Sequence, residues 1–190
     1  MPDEEKVLVR GVAITAIMDY VKDRLGEEGC NDFLKRFPRD FIDKVLNVGK
    51  ADWYPVDVIS RLRNEVALEF NSQDQRQAAF DIGVFTATYE QSTFLKSIMR
   101  HLPIPLILRQ AAALWRKFYR PGVMKVVETG DRKVILELTD FPPVDPLICP
   151  QFEAWLVSAG RNQNLENFEV KETLCLHKGK DRCRWELTWS

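Results

Sequence analysis

Apolar residues recur at steps of three and four along the first part of the chain, which is the spacing of helices that bury one face. The first such helix is predicted to end near Gly26 and carries Val7, Val12, Ile14, Ile17, Met18, Val21 and Leu25. Further helices are expected around 33–37, 41–46, 55–66, 80–99 and 106–118. The pattern therefore predicts an N-terminal part made of helices.

A different pattern begins after Gly122. Two β-rich runs, 123–127 and 133–138, flank Thr129-Gly130-Asp131, which has the composition of a hairpin turn. The rest of the chain is predicted as a helix from about Leu147 to Ala159, closed by Gly160, and two strands over 168–177 and 182–189. Helices first and strands mostly last predict an α+β domain.

Composition limits the domain count and the class of partner. The chain has 190 residues, of which 45% are hydrophobic, and this fits one domain, 1–190, with its own core. Lys and Arg number 27 against 28 Asp and Glu, so the net charge is −1. Contacts to phosphates need a basic stripe, and the sequence shows none, which argues against a nucleic-acid-binding module.

The sequence also bears on location. No apolar run approaches the roughly 18 residues that span a bilayer, and the opening MPDEEK is acidic where a secretion signal is basic and then apolar. We therefore expect a cytoplasmic protein without a membrane span. In that compartment cysteines stay reduced, so spaced cysteines indicate a metal site rather than a disulfide.

Two cysteines lie at equal distances from a predicted turn. Cys175 and Cys183 flank Gly179 symmetrically, so their side chains are expected to face each other across the last hairpin. Two thiolates that close can share one tetrahedral zinc ion. Cys149, at the start of the preceding helix, is a candidate third ligand. Ordinary buried cysteines remain the alternative, because cysteine is common in protein cores.

The fourth ligand has two candidates. Strand alternation puts His177 on the same face as Cys175, two residues away, whereas Glu172 needs a bulge or a twist to reach that face. Geometry alone therefore favours His177. With three thiolates and a carboxylate the charge would be offset by nearby basic residues, so either ligand is electrostatically acceptable.

The spacing of these residues resembles a known family. Cys149, then Glu172-Thr173-Leu174-Cys175, then Cys183 form the pattern Cys-x22-Glu-x2-Cys-x7-Cys. This pattern resembles the 4-vinyl-reductase-like domain and the zinc site of the phenol-sensing domains of bacterial transcription activators. The resemblance implies Cys149, Glu172, Cys175 and Cys183 as zinc ligands, with His177 as the alternative. Four protein ligands leave no open position, which makes the zinc structural.

The resemblance also implies a fold. The family is related to haem-based nitric-oxide-binding domains and to Golgi transport-particle subunits. N-terminal helices are then expected to pack on a twisted antiparallel sheet, with a zinc-linked β-hairpin at the C-terminus. On this basis the single domain divides into an N-terminal helical part, 1–75, and a 4-vinyl-reductase-like core, 76–190.

A hydrophobic ligand pocket is a further expectation, since small-molecule sites are mostly apolar with a few polar groups. Its candidate lining residues are Phe80, Phe85, Tyr89, Phe94, His101, Trp115 and Tyr119. Aromatic residues at helical spacing are also typical of plain core packing. Phenol specificity is not implied, because this chain has no tryptophan between Trp115 and Trp155, where the phenol sensors carry one.

Haem is a separate question. His101 is the only histidine besides His177, so it is the candidate axial ligand or the polar anchor of the pocket. The Tyr-x-Ser-x-Arg segment of haem relatives is missing after His101. The sequence therefore predicts structural zinc as the cofactor and does not predict haem.

Three functions follow as hypotheses. The first is a sensory domain that binds a hydrophobic or aromatic small molecule and signals in trans, as a homodimer or through a separate output protein. The second is a ligand-free adaptor that resembles the transport-particle subunits. The third is an accessory protein or enzyme of tetrapyrrole vinyl reduction. No Gly-rich nucleotide loop or catalytic carboxylate pair is recognised, so the sequence favours binding over catalysis.

Overall fold

Helices form the N-terminal part of the protein, as the hydrophobic pattern predicts. The structure, a computed structural model, describes residues 6–89, 104–161, 163 and 165–190. Within the first of these ranges the helices are α1 (Gly11–Leu34), α2 (Arg39–Leu46), α3 (Val56–Asn71) and α4 (Gln75–Tyr89). The predicted continuation of α4 to 99 lies outside the described residues.

Gly26 interrupts the helical conformation of α1 where the sequence predicts the end of the first helix. Its φ of 71° lies in the left-handed region, which glycine adopts without steric cost. The chain resumes its helical course after this residue, and α1 runs on to Leu34. The separate helix predicted around 33–37 corresponds to the helical segment after Gly26, which begins earlier than predicted and ends at Leu34.

A small three-stranded sheet was not predicted from the sequence. It consists of β1 (Leu8–Arg10), β2 (Trp53–Pro55) and β3 (Tyr119–Arg120), in the order β2-β1-β3. Both neighbours pair antiparallel with β1. Two or three residues are too few to show an alternating pattern, which explains why the sequence gives no sign of them.

The N-terminal helices enclose their own core. Apolar side chains of α1, α2 and α3 meet there, together with Val9 of β1 and Ile82 of α4. Tyr20 contributes ring contacts to Phe70 and Phe85, each with centroids 5.3 Å apart. Such edge-to-face pairs stabilise a core beyond the area they bury.

The C-terminal part is built around an antiparallel sheet of four strands. Its strands are β4 (Val123–Thr129), β5 (Lys133–Thr139), β6 (Glu169–Leu174) and β7 (Cys183–Thr188), in the order β4-β5-β7-β6. Two helices accompany it, α5 (Ile104–Phe118) and α6 (Ile148–Arg161). A short 3-10 turn (Leu176–Lys178) lies between β6 and β7. The predicted α+β class is thus confirmed.

The helices that cover the sheet differ from those predicted. Side chains of α5 and α6 share a second core with β4, β5 and β7. The N-terminal helices reach this region mainly through α4, which packs along α6. A Cβ on Gly83 of α4 would lie 2.2 Å from the carbonyl oxygen of Gln151 in α6, so the two helices can approach this closely only at a glycine.

The end of α6 also differs from the prediction. The helix includes Gly160 and ends at Arg161. A Cβ at Gly160 would lie 2.1 Å from the ring of Phe168, so this glycine provides space for an aromatic side chain rather than ending the helix. Among the described residues, no helix combines the length and the apolar character needed to cross a membrane.

Candidate metal centre

Four potential metal ligands meet where α6, β6 and β7 come together. They are Cys149, Glu172, Cys175 and Cys183, and their ligand atoms all lie within 4.8 Å of one another. All three cysteines are buried and free of disulfide bonds. The sequence predicted this set by resemblance, and the fold brings all four residues together.

The distances from Cys149 to the other two sulfurs match those of a tetrahedral zinc site. Cys149 Sγ lies 3.8 Å from Cys175 Sγ and 3.7 Å from Cys183 Sγ. Zn–S bonds of about 2.3 Å in a tetrahedron separate the sulfurs by about 3.8 Å. A disulfide needs about 2.05 Å between sulfurs, so the spacing is that of metal ligands rather than of oxidised cysteines.

Cys149 is positioned by the start of α6. Asp145 accepts a hydrogen bond of 2.9 Å from the backbone N–H of Leu147 and so fixes the approach to the helix. Cys149 lies in the first turn, and Pro150 follows it where a missing N–H costs nothing. The start of the helix thus holds Cys149 next to the last hairpin, with its Sγ 3.8 Å from Cys175 Sγ.

The turn between β6 and β7 positions the other two cysteines. Gly179 takes the left-handed conformation (φ 74°) that closes the 3-10 turn, as expected for the centre of the hairpin. The backbone N–H groups of Lys178 and Lys180 both donate to the carbonyl of Cys175. The N–H of Leu176 donates to Cys183 Sγ at 3.5 Å. Backbone donors of this kind orient thiolate ligands around a metal.

Glu172 reaches the cysteines through an irregularity in the strand. The pairing of β6 with β7 shifts register between Glu172 and Leu174, which is the bulge that geometry requires. Only 4% of the Glu172 side chain is exposed. Its Oε1 atom is buried and has no hydrogen-bond partner. A buried carboxylate oxygen without a partner is costly, and a bound cation would remove that cost.

His177 lies in the same turn but is not part of this group. The alternation that favoured it applies only to a continuous strand. Here β6 ends at Leu174, and Leu176–Lys178 form a 3-10 turn, so His177 does not follow Cys175 along the face of a strand. Burial lowers the pKa of His177 below its usual value.

The cysteines differ in acidity. A hydrogen bond from Cys149, followed by the backbone N–H of Leu176, lowers the pKa of Cys183 to about 7 despite its burial. The same hydrogen bond raises the pKa of Cys149, and burial raises it further. Burial also raises the pKa of Cys175. Cys183 is therefore the first of the three to supply the thiolate form that binds metals.

The predicted pocket residues lie in several places. Trp115 and Tyr119 stack in the C-terminal core, with ring centroids 4.7 Å apart. Phe85 lies against the N-terminal core, and Phe80 borders two shallow surface depressions. The side chain of Tyr89 and all of Phe94 and His101 lie outside the described residues. A common pocket for these residues stays a prediction.

Two basic residues next to the centre were missed as site residues. Lys178 Nζ lies 3.2 Å and Arg76 Nη1 3.9 Å from Glu172 Oε2. Lys178 belongs to the turn, and the sequence suggested for it only a general role in offsetting charge. Arg76 is on α4, far away in sequence, and no local signal links it to the cysteines.

The arrangement of helices and sheets defines a known fold class, that of H-NOX domains. The H-NOX protein of S. oneidensis in its Fe(II)NO state is similar over 95% of this chain and 99% of its own, with a TM-score of 0.73 and 15% identity. The unliganded Fe(II) H-NOX mutant of K. algicida is similar over 95% of this chain and 96% of its own, with a TM-score of 0.67 and 9% identity. No protein-family model and no curated protein matches the chain.

These comparisons correct the resemblance to the 4-vinyl-reductase-like family, which is wrong. That resemblance depended mainly on a motif near the C-terminus, whereas the H-NOX fold extends over 95% of the chain. Tetrapyrrole vinyl reduction loses its basis together with that resemblance. The expectation against haem is overturned as well, because similar structures of this fold carry haem. The absence of the Tyr-x-Ser-x-Arg segment after His101 was therefore not sufficient evidence against haem.

Proposed function

We propose that the protein is a sensory domain that binds a small molecule and whose C-terminal part is held together by a structural zinc ion. The observation that carries the zinc proposal is the group of three buried thiols and one carboxylate whose ligand atoms lie within 4.8 Å of one another. Thiolate ligands in tetrahedral geometry select zinc over magnesium or calcium. With four protein ligands the ion holds the structure together and leaves no position for a substrate.

Metal content tests this proposal directly. The purified full chain is expected to contain one zinc ion per molecule by elemental analysis, whereas Cys183→Ser loses most of it, because three ligands bind zinc more weakly than four. Cys30→Ser is the matched control, since Cys30 is a buried free cysteine in α1, away from the centre. A wild-type protein that stays metal-free after zinc is supplied contradicts the proposal.

The small molecule that we propose is haem. The support is the fold, because similar structures are described with haem and in Fe(II)NO and Fe(II)CO ligation states. An axial histidine is the usual requirement for such a haem. His177 lies in the turn beside the cysteines, which leaves His101 for the iron.

A haem titration tests the ligand and its residue. The full chain is expected to bind one haem with a sharp Soret band, and His101→Ala should weaken binding at least 10-fold because the iron loses its protein ligand. His177→Ala should leave both haem and zinc unchanged. Equal Soret spectra for wild type and His101→Ala contradict this assignment. The predicted homodimer or separate output protein stays a prediction.

A further inference from the structure

The two carboxylate oxygens of Glu172 have different surroundings. Oε1 is buried without a partner, on a side chain that joins three thiols. Oε2 lies 3.2 Å from Lys178 Nζ and 3.9 Å from Arg76 Nη1. A carboxylate can coordinate a metal through one oxygen or both. Here one oxygen is held by cations, so the other is left for the metal.

The two cations come from different parts of the fold. Lys178 belongs to the 3-10 turn that also orients Cys175, whereas Arg76 is in the first turn of α4. Arg76 is itself held by Glu153 of α6, whose Oε2 lies 2.6 Å from Arg76 Nη2. The 3-10 turn, α4 and α6 thus all contribute to holding the Glu172 carboxylate. The side chains of Lys178 and Arg76 are both more than half exposed.

Charge gives these contacts a second role. Zinc with three thiolates and one carboxylate has a net charge of about −2. Arg76 and Lys178 are the two cations within ion-pair distance of Glu172 among the described residues. Each reduces the repulsion between the carboxylate and the thiolates, and this repulsion would otherwise turn Glu172 away from the sulfurs.

We propose that Arg76 and Lys178 are positioning residues that hold Glu172 as a one-oxygen ligand and so set the affinity of the metal centre. This proposal rests on the proposed zinc centre. Neither residue belongs to the four candidate ligands. Partners of this kind typically change metal affinity by about 10- to 100-fold when they are removed.

The test measures zinc affinity by competition with a chromophoric chelator, using the full chain. Replacing both residues, Arg76→Ala with Lys178→Ala, is expected to weaken zinc binding about 10- to 100-fold, close to the effect of Glu172→Ala. Arg76→Lys with Lys178→Arg keeps both charges and should recover most of the affinity. Lys180→Ala, which removes a cation of the neighbouring loop that is not within ion-pair distance of Glu172, should stay near wild type.

The absorption spectrum of the cobalt-substituted protein reports on the ligands themselves and does not change through a general loss of stability. In the double alanine variant the sulfur-to-cobalt charge-transfer bands should persist, because the three thiolates remain. The visible ligand-field bands should shift toward those of Glu172→Ala, because the carboxylate has left. Wild-type bands and affinity in the double variant overturn the proposal.

The outcomes separate this proposal from the proposed function. A wild-type chain that binds no zinc overturns both. A chain that binds zinc, loses affinity in Glu172→Ala and keeps it in the double alanine variant overturns only the role of Arg76 and Lys178. Unchanged zinc affinity in Glu172→Ala overturns the carboxylate ligand and with it the positioning role.

Discussion

Replacing Cys149 with serine is expected to destabilise the protein by several kcal/mol, an effect that chelation of the wild type should reproduce. The reason is that the binding free energy of a structural metal is also folding free energy, because the unfolded chain has no preformed site. Cys149 is the proposed ligand on α6, whereas Cys175 and Cys183 lie in the last hairpin. Without the metal, the hairpin retains its contacts to β5 and its apolar packing on α6 but loses the cross-link through Cys149.

Denaturant unfolding with and without a strong chelator measures this effect. The wild type should lose several kcal/mol when the chelator is added, and Cys149→Ser should show little further loss. The same result is expected for Cys175→Ser and Cys183→Ser. Hydrogen exchange should rise most over β6 and β7, because they lose a cross-link. If the free energy of unfolding of the wild type does not change when the chelator is added, the protein holds no structural metal.

Cys30→Ser separates the loss of metal from the loss of a buried thiol. Cys30 is only 8% exposed, comparable in burial to the ligand cysteines, but it lies in α1 beside apolar neighbours. Its replacement should lower stability by about 1 kcal/mol, as for other small changes in a core. Chelator should still lower the stability of this variant by as much as that of the wild type.

The group of candidate metal ligands could be predicted largely from local sequence. Cys175 and Cys183 lie at equal distances from Gly179, and the left-handed conformation of that glycine closes the turn where expected. The choice between Glu172 and His177 could not be made by strand geometry. It depends on where β6 ends and the 3-10 turn begins, and alternation carries no information about that boundary.

The fold was predicted in part. Amphipathic periodicity identified α2, α3 and the hairpin β4–β5 because each buries a regular face. The three-stranded sheet was missed because its pairs join distant parts of the chain, such as Val9 with Tyr119. The family was misjudged because four ligands near one end are a local feature, whereas a fold depends on the packing of all elements.

A buried ion pair is a further feature that the hydrophobic pattern of the sequence does not indicate. Arg63 of α3 pairs with Asp145, and their side chains are 0% and 1% exposed. Arg63 also donates a hydrogen bond of 2.6 Å to Gln151 of α6. In the sequence Arg63 is one of many charged residues on a helix. Only the packed structure shows that it joins the N-terminal helices to the segment that leads into α6.

Replacing Arg63 with methionine is expected to cost about 3–5 kcal/mol, because Asp145 is left as an uncompensated buried charge. Asp145 also accepts from the N–H of Leu147, so part of its hydrogen bonding survives and its burial continues. Thermal or denaturant unfolding measures the loss. Arg61→Met, on the exposed side of the same helix, is the matched control and should cost about 1 kcal/mol or less, since it loses only ring contacts to Phe37 and Phe41.

A double variant tests whether the buried charge or the packing causes the loss of stability in Arg63→Met. Arg63→Met combined with Asp145→Leu removes both charges, and such apolar replacements of buried pairs are often neutral or stabilising. The double variant should therefore recover much of the stability that Arg63→Met alone loses. If the single variant is as stable as wild type, the pair does not hold the two halves together. If the double variant is as unstable as the single one, the loss comes from packing around Gln151 and the start of α6 rather than from the buried charge.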